Sequence, residues 1–134
     1  MTKRFAFAAL AALTLQLTHL GAQAQAKVGF AEPKNGASVT SPFKVKLMAS
    51  GVKIEPAGEA VSGSGHHHIL VNMDSLPVGE EIPFTKKHIH MGKGQDEIEV
   101  NLPAGTYNLT MQVADGKHMS LGPNYAKSIT VTVK

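Results

Sequence analysis

The sequence has no cysteine and no tryptophan among its 134 residues, and Arg4 is its sole arginine. Without cysteine there is no disulfide, so a hydrophobic core must hold the fold together. The same absence excludes zinc–thiolate sites, blue-copper sites and a cysteine nucleophile. Histidine, carboxylate and methionine are the side chains left to bind a metal ion.

The scarcity of arginine also bears on the choice of partners. The formal net charge is +3, and nearly all of the positive charge is carried by lysine. Phosphate and nucleic-acid recognition relies on arginine forks and on basic stripes. We therefore expect no nucleic-acid partner.

The first segment has the order of a secretory signal peptide. Lys3 and Arg4 are basic, residues 5–20 are mostly apolar, and residues 22–26 are rich in alanine. The apolar run is interrupted by polar residues and falls short of the roughly 20 apolar residues that a membrane span needs. We predict a signal peptide over residues 1–26, a mature domain over residues 27–134, a periplasmic or secreted location, and no membrane span after cleavage.

The mature chain shows alternating apolar and polar residues, which is typical of β-strands. The clearest alternation covers residues 43–50, 97–102, 106–113 and 128–133, with Gly, Pro and Asn in the connections. Short strands with turn residues between them predict an all-β fold, a single Ig-like antiparallel β-sandwich. The expected core residues are Leu47, Val71, Ile98, Val100, Leu109, Met111, Ile129 and Val131.

Five of the seven histidines lie in two short segments that read as strands, residues 66–68 and 88–90. Alternate side chains of a strand point to the same face, so each segment offers an H-x-H pair on one face. An antiparallel register with His66 opposite His90 and His68 opposite His88 would bring four imidazoles together. The hypothesis is a divalent metal site with His66, His68, His88 and His90 as ligands and His118 as a candidate fifth.

The remaining side chains near this site allow more than one interpretation. His67 shares a face with Ile69 and Val71, so we expect a buried histidine bonded to a backbone carbonyl rather than a ligand. Met91 and Met119 adjoin histidines and could supply a thioether, although methionine more often fills a core. The expected metal is copper or zinc, with copper(II) slightly favoured because it leads the divalent series.

Several motifs also carry a family resemblance. The chain contains GHHH at residues 65–68, HIH-x-G-x-G-Q at residues 88–95 and LPAG at residues 102–105. In these motifs it resembles the exported bacterial proteins grouped as a domain of unknown function, DUF4399. The resemblance implies a small periplasmic or secreted all-β domain, and it brings no established activity or ligand.

Three classes of function remain open from the sequence. The first is a metal-binding module using the H-x-H pairs, and the second is an Ig-like interaction domain with structural histidines and a periplasmic protein partner. The third is a metal-dependent enzyme, which ranks last because the sequence indicates neither a general base nor a substrate cleft.

Overall fold

The computed structural model describes residues 25–134, which form nine β-strands and one 3-10 turn at Pro123–Tyr125. The all-β prediction is confirmed. Residues 1–24 of the predicted signal peptide lie outside the described residues. The strands are β1 (Lys27–Glu32), β2 (Ser38–Val39), β3 (Phe43–Ser50), β4 (Lys53–Ile54), β5 (Ser64–Val71), β6 (His88–Met91), β7 (Glu97–Val100), β8 (Gly105–Ala114) and β9 (Ala126–Val133).

The strands form two sheets. The smaller has the order β1-β3-β7, and the larger has the order β2-β9-β8-β5-β4, with β6 also paired to β5. Most pairings are antiparallel, and the two short strands β2 and β4 pair in parallel with β9 and β5. Strand β5 therefore lies inside the larger sheet, and all eight of its residues are buried. Its apolar residues on both faces predict this interior position.

The core lies between the sheets, because both contribute to one apolar cluster. Phe30, Val45 and Leu47 come from the smaller sheet. They share the cluster with residues of the larger sheet that include Ile69, Leu109 and Val131. Seven of the eight predicted core residues are buried. Ile98 is the exception: it is half-buried because β7 is an edge strand, at the margin of the cluster.

Part of the outer face of the larger sheet, along β5 and the end of β8, is buried as well, beneath the loops that follow these two strands. Leu70, Ile82 and Ala114 form a second small apolar cluster there. The Thr110 hydroxyl donates to the Met73 carbonyl at 2.6 Å, and the Ser120 hydroxyl donates to the Leu76 carbonyl at 2.9 Å. Among the described residues no helix is long and apolar enough to cross a membrane.

Candidate metal centre

Strand β5 presents His66 and His68 on this covered outer face, where their exposed fractions are 0% and 2%. Strand β6 pairs with β5 antiparallel, as predicted, but the register differs by two residues. His90 lies opposite His68, and His88 lies opposite Leu70. The observed register places Ile89 opposite Ile69, so that the apolar sides of the two strands match. A shift of two residues keeps the histidines on the predicted face.

The shift moves His88 away from the other imidazoles. Its Nδ1 lies 2.6 Å from the Thr85 hydroxyl, within the loop that leads into β6. Of the five histidines proposed as ligands, His88 is the one that the structure does not bring into the group.

His118 enters the group from the loop after β8. Its φ is +67°, in the left-handed region that few residues other than glycine, asparagine, aspartate and histidine adopt. Asp115 holds this loop, because its Oδ1 accepts from the backbone N–H groups of Lys117 at 2.8 Å and Met119 at 3.0 Å. The His118 carbonyl accepts from the Ile82 N–H at 2.8 Å, which fixes its position against the neighbouring loop.

Four imidazoles consequently converge on one point. His66, His68, His90 and His118 each offer a ring nitrogen, and these four atoms lie within 4.8 Å of one another. The His66 Nε2 is 3.1 Å from the His118 Nδ1 and 3.2 Å from the His90 Nε2. Zinc–nitrogen bonds of about 2.0–2.1 Å in a tetrahedron would separate adjacent nitrogens by about 3.3–3.4 Å. The group could therefore hold one metal ion with small side-chain adjustments.

Burial and neighbouring imidazoles lower the pKa values of three of these histidines. The pKa of His66 falls to about 4, chiefly through burial and then through the neighbouring His118 and His90. The pKa of His68 falls to about 2, again chiefly through burial and then through the adjacent imidazoles. The pKa of His90 is also lowered, by burial and by His118. A neutral imidazole has a free lone pair, so the lowered pKa values favour the metal-binding protonation state of His66, His68 and His90.

Three ring nitrogens in the buried strand lack a hydrogen-bond partner among the described residues, namely Nδ1 of His66, His67 and His68. A ligand histidine usually donates its second ring N–H to an acceptor, and the described residues supply no such acceptor to the Nδ1 of His66 or His68. His67 is buried, at 1% exposure, and faces the core as predicted. Its Nδ1 lacks the predicted carbonyl partner, and burial lowers its pKa to about 4.

The structure also reveals residues that shape the centre and that carry no ligand atom. A Cβ at position 92 would overlap the His90 ring, so glycine at this position in the HIH-x-G motif makes room for that imidazole. Gln112 is fully buried beside the cluster, accepting from the Leu76 N–H at 3.2 Å and donating to the Gly122 carbonyl at 3.0 Å. Alternation alone identifies Gln112 only as a polar residue facing away from the core.

Met91, which the sequence offered as a thioether donor, lies apart from the four imidazoles. Met91 is fully buried in the core cluster, on the strand face opposite to His90.

The comparisons with other proteins give one family and one structural likeness. The X-ray structure of the endo-beta-1,4-mannanase from Thermotoga petrophila aligns with 83% of this chain at 15% identity and a TM-score of 0.46. The chain covers only 20% of that protein, and a likeness this weak is no evidence of a shared fold or function. No curated protein matches the chain. A family profile matches residues 45–134, a span that includes both histidine motifs and His118. The chain therefore belongs to the family described as a domain of unknown function, DUF4399.

Proposed function

We propose that this domain is a periplasmic or secreted module that binds one copper or zinc ion through His66, His68, His90 and His118. The observation that carries the proposal is the convergence of four ring nitrogens from three separate chain segments within 4.8 Å. Two of the donors belong to a buried strand, where unpaired polar side chains are costly and therefore rare.

The nature of the donors supports copper(II) and zinc. Both metals accept imidazole nitrogen, and four such nitrogens suit a tetrahedral or tetragonal ion. The thioether of Met91 is directed into the core and away from the imidazoles, so it offers no support for copper(I).

The number of donors favours metal binding over catalysis. Catalytic zinc sites usually provide three protein ligands and leave a fourth position for water or substrate. Four imidazoles would fill a tetrahedral coordination shell. The domain is accordingly proposed to hold or carry the ion.

Titration of metal-stripped protein without an affinity tag tests this proposal. With copper(II) or zinc we expect one ion per chain and a higher melting temperature, because binding to the folded state alone adds about 2.7 kcal/mol at a hundredfold excess over Kd. The double variants His66→Ala/His68→Ala and His90→Ala/His118→Ala should lose this rise.

Two further variants serve as controls. His88→Ala removes a histidine outside the group and should keep the metal-induced rise. His67→Ala should lower the metal-free melting temperature by opening a cavity in the core, and the rise should persist. A wild-type protein without any metal-dependent rise, or retention of the rise in both double variants, would favour an interaction domain with structural histidines.

A further inference from the structure

The side chain of Phe84 lies against the open side of the histidine group. Its ring centroid is 5.2 Å from that of His90 and 4.8 Å from that of His118, at interplanar angles of 78° and 75°. Edge-to-face contacts at these separations are favourable for aromatic pairs. His90 and His118 are the two half-buried members of the group, whereas His66 and His68 are covered by protein. Phe84 therefore covers the side of the group that faces solvent.

The backbone around Phe84 is attached to the loop that carries His118. The Ser120 N–H donates to the Glu80 carbonyl at 2.8 Å, and the Gly79 N–H donates to the Ser120 carbonyl at 2.9 Å. Ile82, whose exposed fraction is 1%, anchors this segment in the outer apolar cluster two residues before Phe84. On the other side, the Thr85 hydroxyl contacts the His88 ring. The position of Phe84 is thus fixed from both directions.

The side chain of Phe84 is apolar and cannot itself bind a metal ion. It offers no donor atom to a metal, and it lies against His90 and His118, the two partly exposed imidazoles of the group. Phe84 is 67% exposed, and its ring contacts two of the candidate ligands.

From this arrangement we infer that Phe84 caps the metal centre, excludes an exogenous fifth ligand and slows exchange of the ion. The inference rests on the proposed metal-binding function. It assigns Phe84 as a residue that determines access to the ion, with no role as a ligand.

Copper(II)-loaded, tag-free protein titrated with azide provides the first test. The wild-type spectrum should show no azide-to-copper charge-transfer band, whereas Phe84→Ala should develop one. Removal of copper(II) or zinc by a chelator should be at least tenfold faster from Phe84→Ala than from the wild type. Phe84→Leu, which retains an apolar side chain, should lie between the two.

Val78→Ala is the matched control, because Val78 is an apolar residue of the same loop that is 75% exposed and packs next to Gly122. It should behave as the wild type does in both measurements. If the wild type binds neither metal, both the proposed function and this inference fail. If the wild type binds zinc but not copper(II), the azide test does not apply, and the rates of zinc removal by the chelator test the inference.

Two results would contradict the capping role of Phe84 without contradicting the proposed metal-binding function. One is equal azide binding, or equal chelator rates, in the wild type and Phe84→Ala. The other is complete loss of metal binding in Phe84→Ala, which would assign Phe84 the task of positioning His90 and His118.

Discussion

At the scale of single residues, the candidate metal centre depends on residues that position an imidazole as well as on the histidines that offer a ring nitrogen. Gly92 has no Cβ, and the His90 imidazole occupies the volume that a Cβ would take. Asp115 contributes through backbone hydrogen bonds that hold His118 in a left-handed conformation. Both residues orient a candidate ligand and are not themselves candidate ligands.

The variant Gly92→Ala should therefore weaken metal binding. The added methyl group would displace the His90 ring, and we expect a loss of affinity of about 10- to 100-fold, the size typical of changes that disturb ligand orientation. Isothermal titration with copper(II) and with zinc measures the effect. Gly29→Ala is the control, because a Cβ there would meet only ordinary van der Waals contact with Met48 at 3.6 Å. Unchanged affinity in Gly92→Ala would show that His90 is not a ligand.

The buried histidines should make the metal-free protein sensitive to mild acid. The folded pKa of His67 is about 4 and the ordinary value is 6.5, so between these pH values the unfolded chain binds more protons than the folded chain. The free energy of unfolding should fall as the pH drops through this window, by about 1.4 kcal/mol per pH unit for each such histidine.

Urea denaturation between pH 7 and pH 4 measures this slope. His67→Leu removes one of the proton-linked groups, so its stability should decline less steeply than that of the wild type. An identical slope in the two proteins would mean that His67 is protonated equally in the folded and unfolded states.

At the scale of elements, strand β5 and the second part of β8, residues 109–114, are buried on both faces. The inner face of β8 carries Leu109, Met111 and Val113 into the core, and its outer face carries Thr110 and Gln112 beneath the covering loops. These two polar side chains are satisfied by backbone groups of the loops. Thr110 and Gln112 therefore hold the loops that cover the histidine group and do not face water.

Truncation within β8 tests the position of the core. Leu109 is fully buried, so Leu109→Ala should lower the free energy of unfolding by about 2–5 kcal/mol through lost burial and a new cavity. Thr130→Ala, an exposed position on β9, should change it by less than about 0.5 kcal/mol. Chemical denaturation of the metal-free proteins gives both values, and equal stabilities would contradict the two-sheet core.

At the scale of the whole molecule, the proposed ion would connect parts of the chain that are far apart in sequence. His66 and His68 belong to β5, His90 belongs to β6, and His118 belongs to the loop after β8. A bound metal would thus fasten two strands and a loop of a protein that has no disulfide, an arrangement suited to a cysteine-free domain outside the cytoplasm.

The location outside the cytoplasm remains a prediction from the first segment of the sequence. We expect the mature protein to begin near Gln25 or Lys27, because the small residues of positions 22–26 follow the apolar run. The intact mass of protein recovered from the periplasm or medium of the native cells determines the first residue. A soluble exported form that retains Met1 would contradict the predicted cleavage.

The sequence by itself determined the fold class, the longer strands, about half of the main core cluster and the face on which the histidines lie. These features follow from a period of two residues, which is local and survives any even shift of register. The tertiary structure decided which histidines meet, because the register of β6 against β5 depends on matching Ile89 with Ile69 and on the intervening loop. It also decided the positions of His118 and Phe84, since loops are placed by hydrogen bonds to distant segments such as the one from Ile82 to His118. No periodicity along the chain records contacts of that kind.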